Sequence, residues 1–172
     1  MTDVASGLAG IHQIEPGSKP KRLALVASKG TLDAAYPPLI LATTAASLGW
    51  EVGIYFTFYG LDILHDDRYR KLKMASLANP AGPIRLPNFV GAIPGATAAA
   101  TRVMKRWMKR SRMPEVAEFI EMAQGLDVTF FACATTMGVM GVEEGDLIGG
   151  CDIAGAAKFL DYAADADVQL FV

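Results

Sequence analysis

The chain has 172 residues, of which 52% are apolar and 20% charged, and its formal net charge is −2. This balance excludes disorder over most of the length, which needs low hydrophobicity with high net charge, and it provides no chain-wide basic field to gather nucleic acid. Two cysteines and two histidines are too few for a disulfide scaffold or a four-cysteine zinc site, and no ligand spacing marks a metal or cofactor.

Residues 1–20 are rich in Gly, Ser and Pro, lack a clear period and read as a flexible N-terminal arm. No basic segment followed by an apolar run marks a secretory signal, so a cytoplasmic location with reduced thiols is expected. Arg22 to Ser28 is a short apolar run between charged and turn residues, which predicts a buried strand. Tyr36 to Leu48 predicts a helix with Pro37 and Pro38 in its first turn and Gly49 as its stop. Glu51 to Phe58 is rich in β-branched and aromatic residues and predicts a second strand.

The segment from Leu77 to Arg112 interrupts this alternation. It opens on a Pro/Gly-rich stretch and closes on an Ala-rich helix from Ala96 to Arg112. Arg102, Lys105, Arg106, Lys109, Arg110 and Arg112 hold six of the sixteen basic residues, and they read as a solvated helix face. Met104, Met108 and Trp107 read as packing residues. Leu86 to Thr101 is uncharged but broken by Pro87 and Pro94, too short for the roughly 20 apolar residues of a spanning helix. Burial, or contact with a membrane surface through 86–112, accounts for it.

Beyond the excursion, Pro114 to Gln124 predicts a helix and Asp127 to Ala132 a third strand. Thr135 to Met140 predicts a short helix ending at Gly141, and Gly155 to Ala164 another. Asp167 to Val172 predicts the last strand. Strands alternating with helices imply a parallel sheet covered on both faces.

In such a sheet, ligands bind beyond the carboxyl ends of the strands. That rule selects Ser28-Lys29-Gly30-Thr31, Thr57-Phe58-Tyr59-Gly60 and Cys133-Ala134-Thr135-Thr136. The first lacks the spacing of a phosphate loop and reads as a turn into a helix. Cys133 follows a strand and precedes a helix, where unpaired N–H groups and the helix dipole lower a thiol pKa. A small buried hydrophobe fits the same position equally well. Cys151 lies in the glycine-flanked loop Gly149-Gly150-Cys151-Asp152 and forms no Cys-x-x-Cys motif with Cys133. His65 reads as a solvated helix-end residue.

Several stretches together carry a resemblance. SKGTLDAAYPPLILATTAASLGWEVGIYFTFYGLDIL, PNFVGAIPG, FFACATTMGVMGVEEGDLIGG and AGAAKFLDYAADADVQLFV span most of the chain from Lys21 onward. The chain resembles the DsrE/DsrF/DsrH-like sulfur-trafficking family, and within it the longer DsrE-like subgroup with an insertion ahead of the cysteine strand. The resemblance implies a flavodoxin-like three-layer α/β fold with a mainly parallel sheet, a helical insertion around residues 77–112, and a single domain over 21–172. It further implies homo- or hetero-oligomers; a homo-oligomer is expected here, and no cofactor is expected.

The function so implied is a sulfur carrier, or a sulfurtransferase, that accepts sulfane sulfur or a thiosulfonate group on Cys133. It would exchange that group with TusA-like or rhodanese-like proteins or with small anions such as polysulfide, thiosulfate and tetrathionate. Lys29, Gly30, Ala134, Thr135 and Thr136 are the expected binding residues, and Cys151 is assigned at most an accessory role. The rival expectation is a non-catalytic assembly module of the same fold with Cys133 buried.

Overall fold

The computed structural model describes residues 19–75 and 95–172. The expected N-terminal arm and the Pro/Gly-rich opening of the excursion lie outside these, apart from a few flanking residues. Five parallel strands form one sheet: β1 (Arg22–Ala27), β2 (Glu51–Phe56), β3 (Thr129–Cys133), β4 (Cys151–Ala154) and β5 (Val168–Phe171), in the order β4-β3-β2-β1-β5. The helices are α1 (Leu32–Ser47), α2 (Ala96–Arg110), α3 (Val116–Gly125), α4 (Ala134–Met140) and α5 (Ala156–Ala164).

Strand alternation divides the core in two. Leu23, Leu25, Ile54, Phe56 and Phe130 point into a large cluster with α1 and α3. Ala24, Tyr55, Phe131, Cys133 and Ala154 point into a smaller one with Phe159 and Ala163 of α5. The expected three-layer parallel α/β arrangement is therefore present, and among the described residues α5 alone supplies the helical side chains of the smaller cluster.

Helix α1 begins four residues earlier than the prolines suggest. Leu32 and Ala35 are buried, and the Leu32 N–H donates to the Lys73 carbonyl at 2.8 Å, so tertiary contacts extend the helix. Pro37 and Pro38 consequently sit inside it. Leu32, Ala35, Tyr36, Leu39 and Ala42 form its buried stripe, and Tyr36 meets Phe119 of α3 edge-on at 5.8 Å. Gly49 adopts the left-handed conformation with φ 80°, which turns the chain toward β2 at little steric cost.

Two expectations are corrected. Cys151 belongs to no loop: it opens β4, an edge strand whose four residues, preceded by Gly149 and Gly150, carry no period of their own and owe their conformation to pairing with β3. His65 is buried, not solvated; it bridges Leu147, and its Nδ1 accepts the Asp67 N–H at 3.3 Å. Short 3₁₀ turns at Phe58–Ile63 and Tyr69–Lys71 follow β2 and bury Leu61, Ile63 and Tyr69. Helix α2 stops at Arg110, two residues short of the expected end; its Met108 packs on the large cluster, whereas Trp107 is half exposed. No helix among the described residues is long and apolar enough to cross a membrane.

Candidate functional site

Cys133 is both the last residue of β3 and the N-cap of α4. An N-cap side chain ordinarily offers an oxygen to a free N–H of the first helical turn. Here sulfur takes that place: Cys133 Sγ accepts the Thr136 N–H at 3.4 Å. The thiol is 5% exposed.

The surrounding hydroxyls come from β2 and its exit. Tyr55 and Thr57 lie two residues apart, so they share the strand face on which Phe131 and Cys133 lie next door. Thr57 Oγ1 is 3.1 Å from Thr136 Oγ1, which also accepts the Phe58 N–H at 3.2 Å. Phe58 holds φ 47°, a strained value for a non-glycine residue, and that turn delivers its N–H to Thr136. The Tyr55 ring stacks on Phe159 of α5 at 4.7 Å, and its hydroxyl lies beside the Cys133 sulfur.

These contacts set the acidity of the thiol. Burial pushes Cys133 up, but the Thr136 hydroxyl, the Tyr55 hydroxyl, the Thr136 N–H and the Thr57 hydroxyl favour the thiolate, and together they bring it down from 9.0 to about 7. Tyr55 moves the other way, pushed up first by burial and then by the neighbouring Cys133, so it remains a proton donor at neutral pH. The result is a shielded thiolate held by neutral donors, the arrangement a nucleophilic sulfur needs.

The other expected residues distribute unevenly. Thr136 is buried against the sulfur, while Ala134 and Thr135 are exposed in the first turn of α4. Lys29 is exposed and contributes nothing to the Cys133 shift. Gly30 packs against the Tyr59 carbonyl, where a Cβ would collide with the oxygen, and lines a pocket of about 500 Å³ with Thr31, Asp62, Arg68 and Lys71 that does not include Cys133.

Cys151 pairs with Phe130, whereas Cys133 pairs with Ala154, three residues further along the ladder, or roughly 10 Å. Cys151 also packs on the large cluster, across the sheet from Cys133, and burial pushes its thiol up to about 11. Both cysteines are free thiols. Tyr55 escaped the sequence reading, and Thr57 fell within a strand-end segment that the sequence selected but was given no role there. Their period-two spacing at the end of a strand was the available signal, but only the pairing of β2 with β3 gives it meaning.

Comparison with known proteins places the chain. Over 158 residues it is 38% identical to the sulfur carrier protein DsrE2 of Allochromatium vinosum, covering 88% of this chain and 98% of that one. It is 31% identical over 162 residues to the uncharacterized protein YrkE of Bacillus subtilis, covering 88% and 97%. Among solved structures, ychN from E. coli matches with a TM-score of 0.48 at 12% identity, over 88% of this chain and 99% of that one. MTH1491 from Methanobacterium thermoautotrophicum matches with a TM-score of 0.48 at 12% identity, over 87% and 98%. Residues 19–171 match the DsrE/DsrF/DrsH-like family, and the chain belongs to it.

Proposed function

We propose that this protein is a cysteine-based sulfur carrier with Cys133 as its loading site. The family and the likeness to a sulfur carrier support a role in sulfur trafficking. The observation that carries the assignment to Cys133 is its place at the N-cap of α4, where Sγ accepts the Thr136 N–H at 3.4 Å among hydroxyls that favour the thiolate.

The Cys133 thiolate attacks the outer sulfur of a donor persulfide R–S–SH. The new Sγ–S bond forms as the R–S to S bond breaks; R–S⁻ leaves, and the outer sulfur keeps its proton until it ionises to Cys133–S–S⁻. With tetrathionate, attack on an inner sulfur gives Cys133–S–S–SO₃⁻ and releases thiosulfate. A partner thiolate, as on a TusA-like or rhodanese-like protein, then attacks the sulfane sulfur and regenerates Cys133. This is thiol–disulfide exchange in another guise. The hydroxyls of Tyr55, Thr57, Thr135 and Thr136 are neutral donors for the charged outer group, and no general base is required.

The 5% exposure of Cys133 supports a second reading, an assembly module in which the thiol only fills space. Intact mass spectrometry without reductant separates the two. Reduced protein is mixed with polysulfide or tetrathionate beside Cys133→Ser and Cys151→Ser variants. Wild type and Cys151→Ser gain the adduct while Cys133→Ser does not. Loading that follows Cys151 overturns the site, and absence of loading on the folded protein favours the assembly module.

A further inference from the structure

Between α2 and α3 lies a groove of about 1150 Å³ whose lining does not include Cys133. A cleft of that size has room for a small-molecule ligand. Met108, Met113, Val116 and Met122 give it an apolar wall, and Met122 is 40% exposed there. Methionine is flexible and polarizable, so a wall with three of them adapts to a linear aliphatic chain.

The two rims carry opposite charge but are not equivalent. Lys105, Arg106, Lys109 and Arg112 line one side, and none of them forms an ion pair among the described residues. Glu115, Glu118 and Glu121 line the other. Glu115 and Glu118 are already engaged, because they form a reciprocal capping box at the start of α3 in which the Glu115 N–H donates to Glu118 Oε2 at 2.7 Å. The positive end of the helix dipole further offsets their charge. With Arg70, which also lines the groove, five cations without ion-pair partners among the described residues thus stand against one carboxylate outside the cap, Glu121.

We propose that this groove is a binding site for a free single-chain anionic amphiphile of the fatty-acid class. The aliphatic chain lies along Met108, Met113 and Met122, and the head group meets Lys105 and Lys109. The site needs the apolar wall and the cationic rim together, and because its lining does not include Cys133 the proposal is independent of the sulfur-carrier reading.

The test is calorimetric titration of the full chain with laurate, kept below its micelle-forming concentration. Acetate supplies the head group alone and dodecanol the chain alone. Laurate binds at one site, acetate does not bind, and dodecanol binds at least about tenfold more weakly. Reversing the rim with Lys105→Glu and Lys109→Glu weakens laurate by about tenfold, and Met122→Asp on the opposite wall does the same. Circular dichroism confirms the native helix content of both variants. Cys133→Ser binds like wild type. Equal affinity for dodecanol, or wild-type affinity in both variants, overturns the proposal. So does binding to anionic vesicles through Lys105 and Lys109 without binding of monomeric laurate, which would make this rim a membrane-facing surface.

Discussion

Cys133 and Thr136 meet at the start of α4: the Thr136 N–H reaches Sγ at 3.4 Å, and the Thr136 hydroxyl beside it favours the thiolate. The pair closes the first turn of α4 around the thiol, so the acidity of Cys133 and the start of the helix depend on the same two residues.

The rate of Cys133 alkylation is therefore expected to rise with pH and level off above an inflection near 7. The folded pKa lies below the ordinary 9.0, so the unfolded chain binds more protons between these values. The stabilisation due to the thiolate is complete above pH 9 and lost as pH falls through 7. Denaturation measured across that window gives a rising stability for wild type and a flat one for Cys133→Ser. An alkylation inflection at 9 would contradict the assignment of the donors.

Tyr55→Phe keeps the ring on Phe159 and removes only the hydroxyl. Its expected cost in stability is below about 1.5 kcal/mol, while the Cys133 inflection moves up from about 7. Thr136→Val moves the inflection the same way and also strips the Phe58 N–H and the Thr57 hydroxyl of a partner. That second loss costs about 1–3 kcal/mol. Alkylation profiles and urea midpoints of the two variants separate acidity from stability; an unmoved inflection in both would remove the hydroxyls from the account.

Cys151 is expected to be a slow thiol. Its pKa is pushed up to about 11, so at neutral pH almost none is thiolate. Peptide mapping after brief iodoacetamide treatment finds label on Cys133 with Cys151 unmodified, and Cys151→Ser leaves the Cys133 profile in place. Equal labelling of the two would count against the separation of the thiols by the sheet.

Gly60 backs directly onto the Ala27 carbonyl, and an alanine Cβ would collide with that oxygen. Since the obstacle is backbone, Gly60→Ala is expected to cost about 1–3 kcal/mol. Gly138, inside α4, has open space at its Cβ position. Gly138→Ala is the matched control and is expected to gain roughly 0.5–1 kcal/mol. Urea midpoints compare the two, and a neutral Gly60→Ala would mean that the turn after β2 can shift away from β1.

The alternation of strands and helices was legible along the chain because it rests on local signals: apolar runs of strand length, helix-stopping glycines, and a cysteine placed between a strand and a helix. Even β5, whose Leu170 and Phe171 remain exposed, announced itself through such a run. The position of Cys133 at a strand end is of this kind. Its chemistry is not. Tyr55 and Thr57 lie more than seventy residues upstream and reach the sulfur only because β2 pairs with β3 in register Tyr55↔Phe131. The sheet puts Cys151, close in sequence, on the opposite side by the same logic. Burial of His65 and the early start of α1 likewise follow from partners at Leu147 and Lys73. Period and turn chemistry act within a few residues, so they can be read from the chain alone. Parallel register is set by how the crossover helices pack, which makes the neighbours of a thiol a property of the tertiary structure.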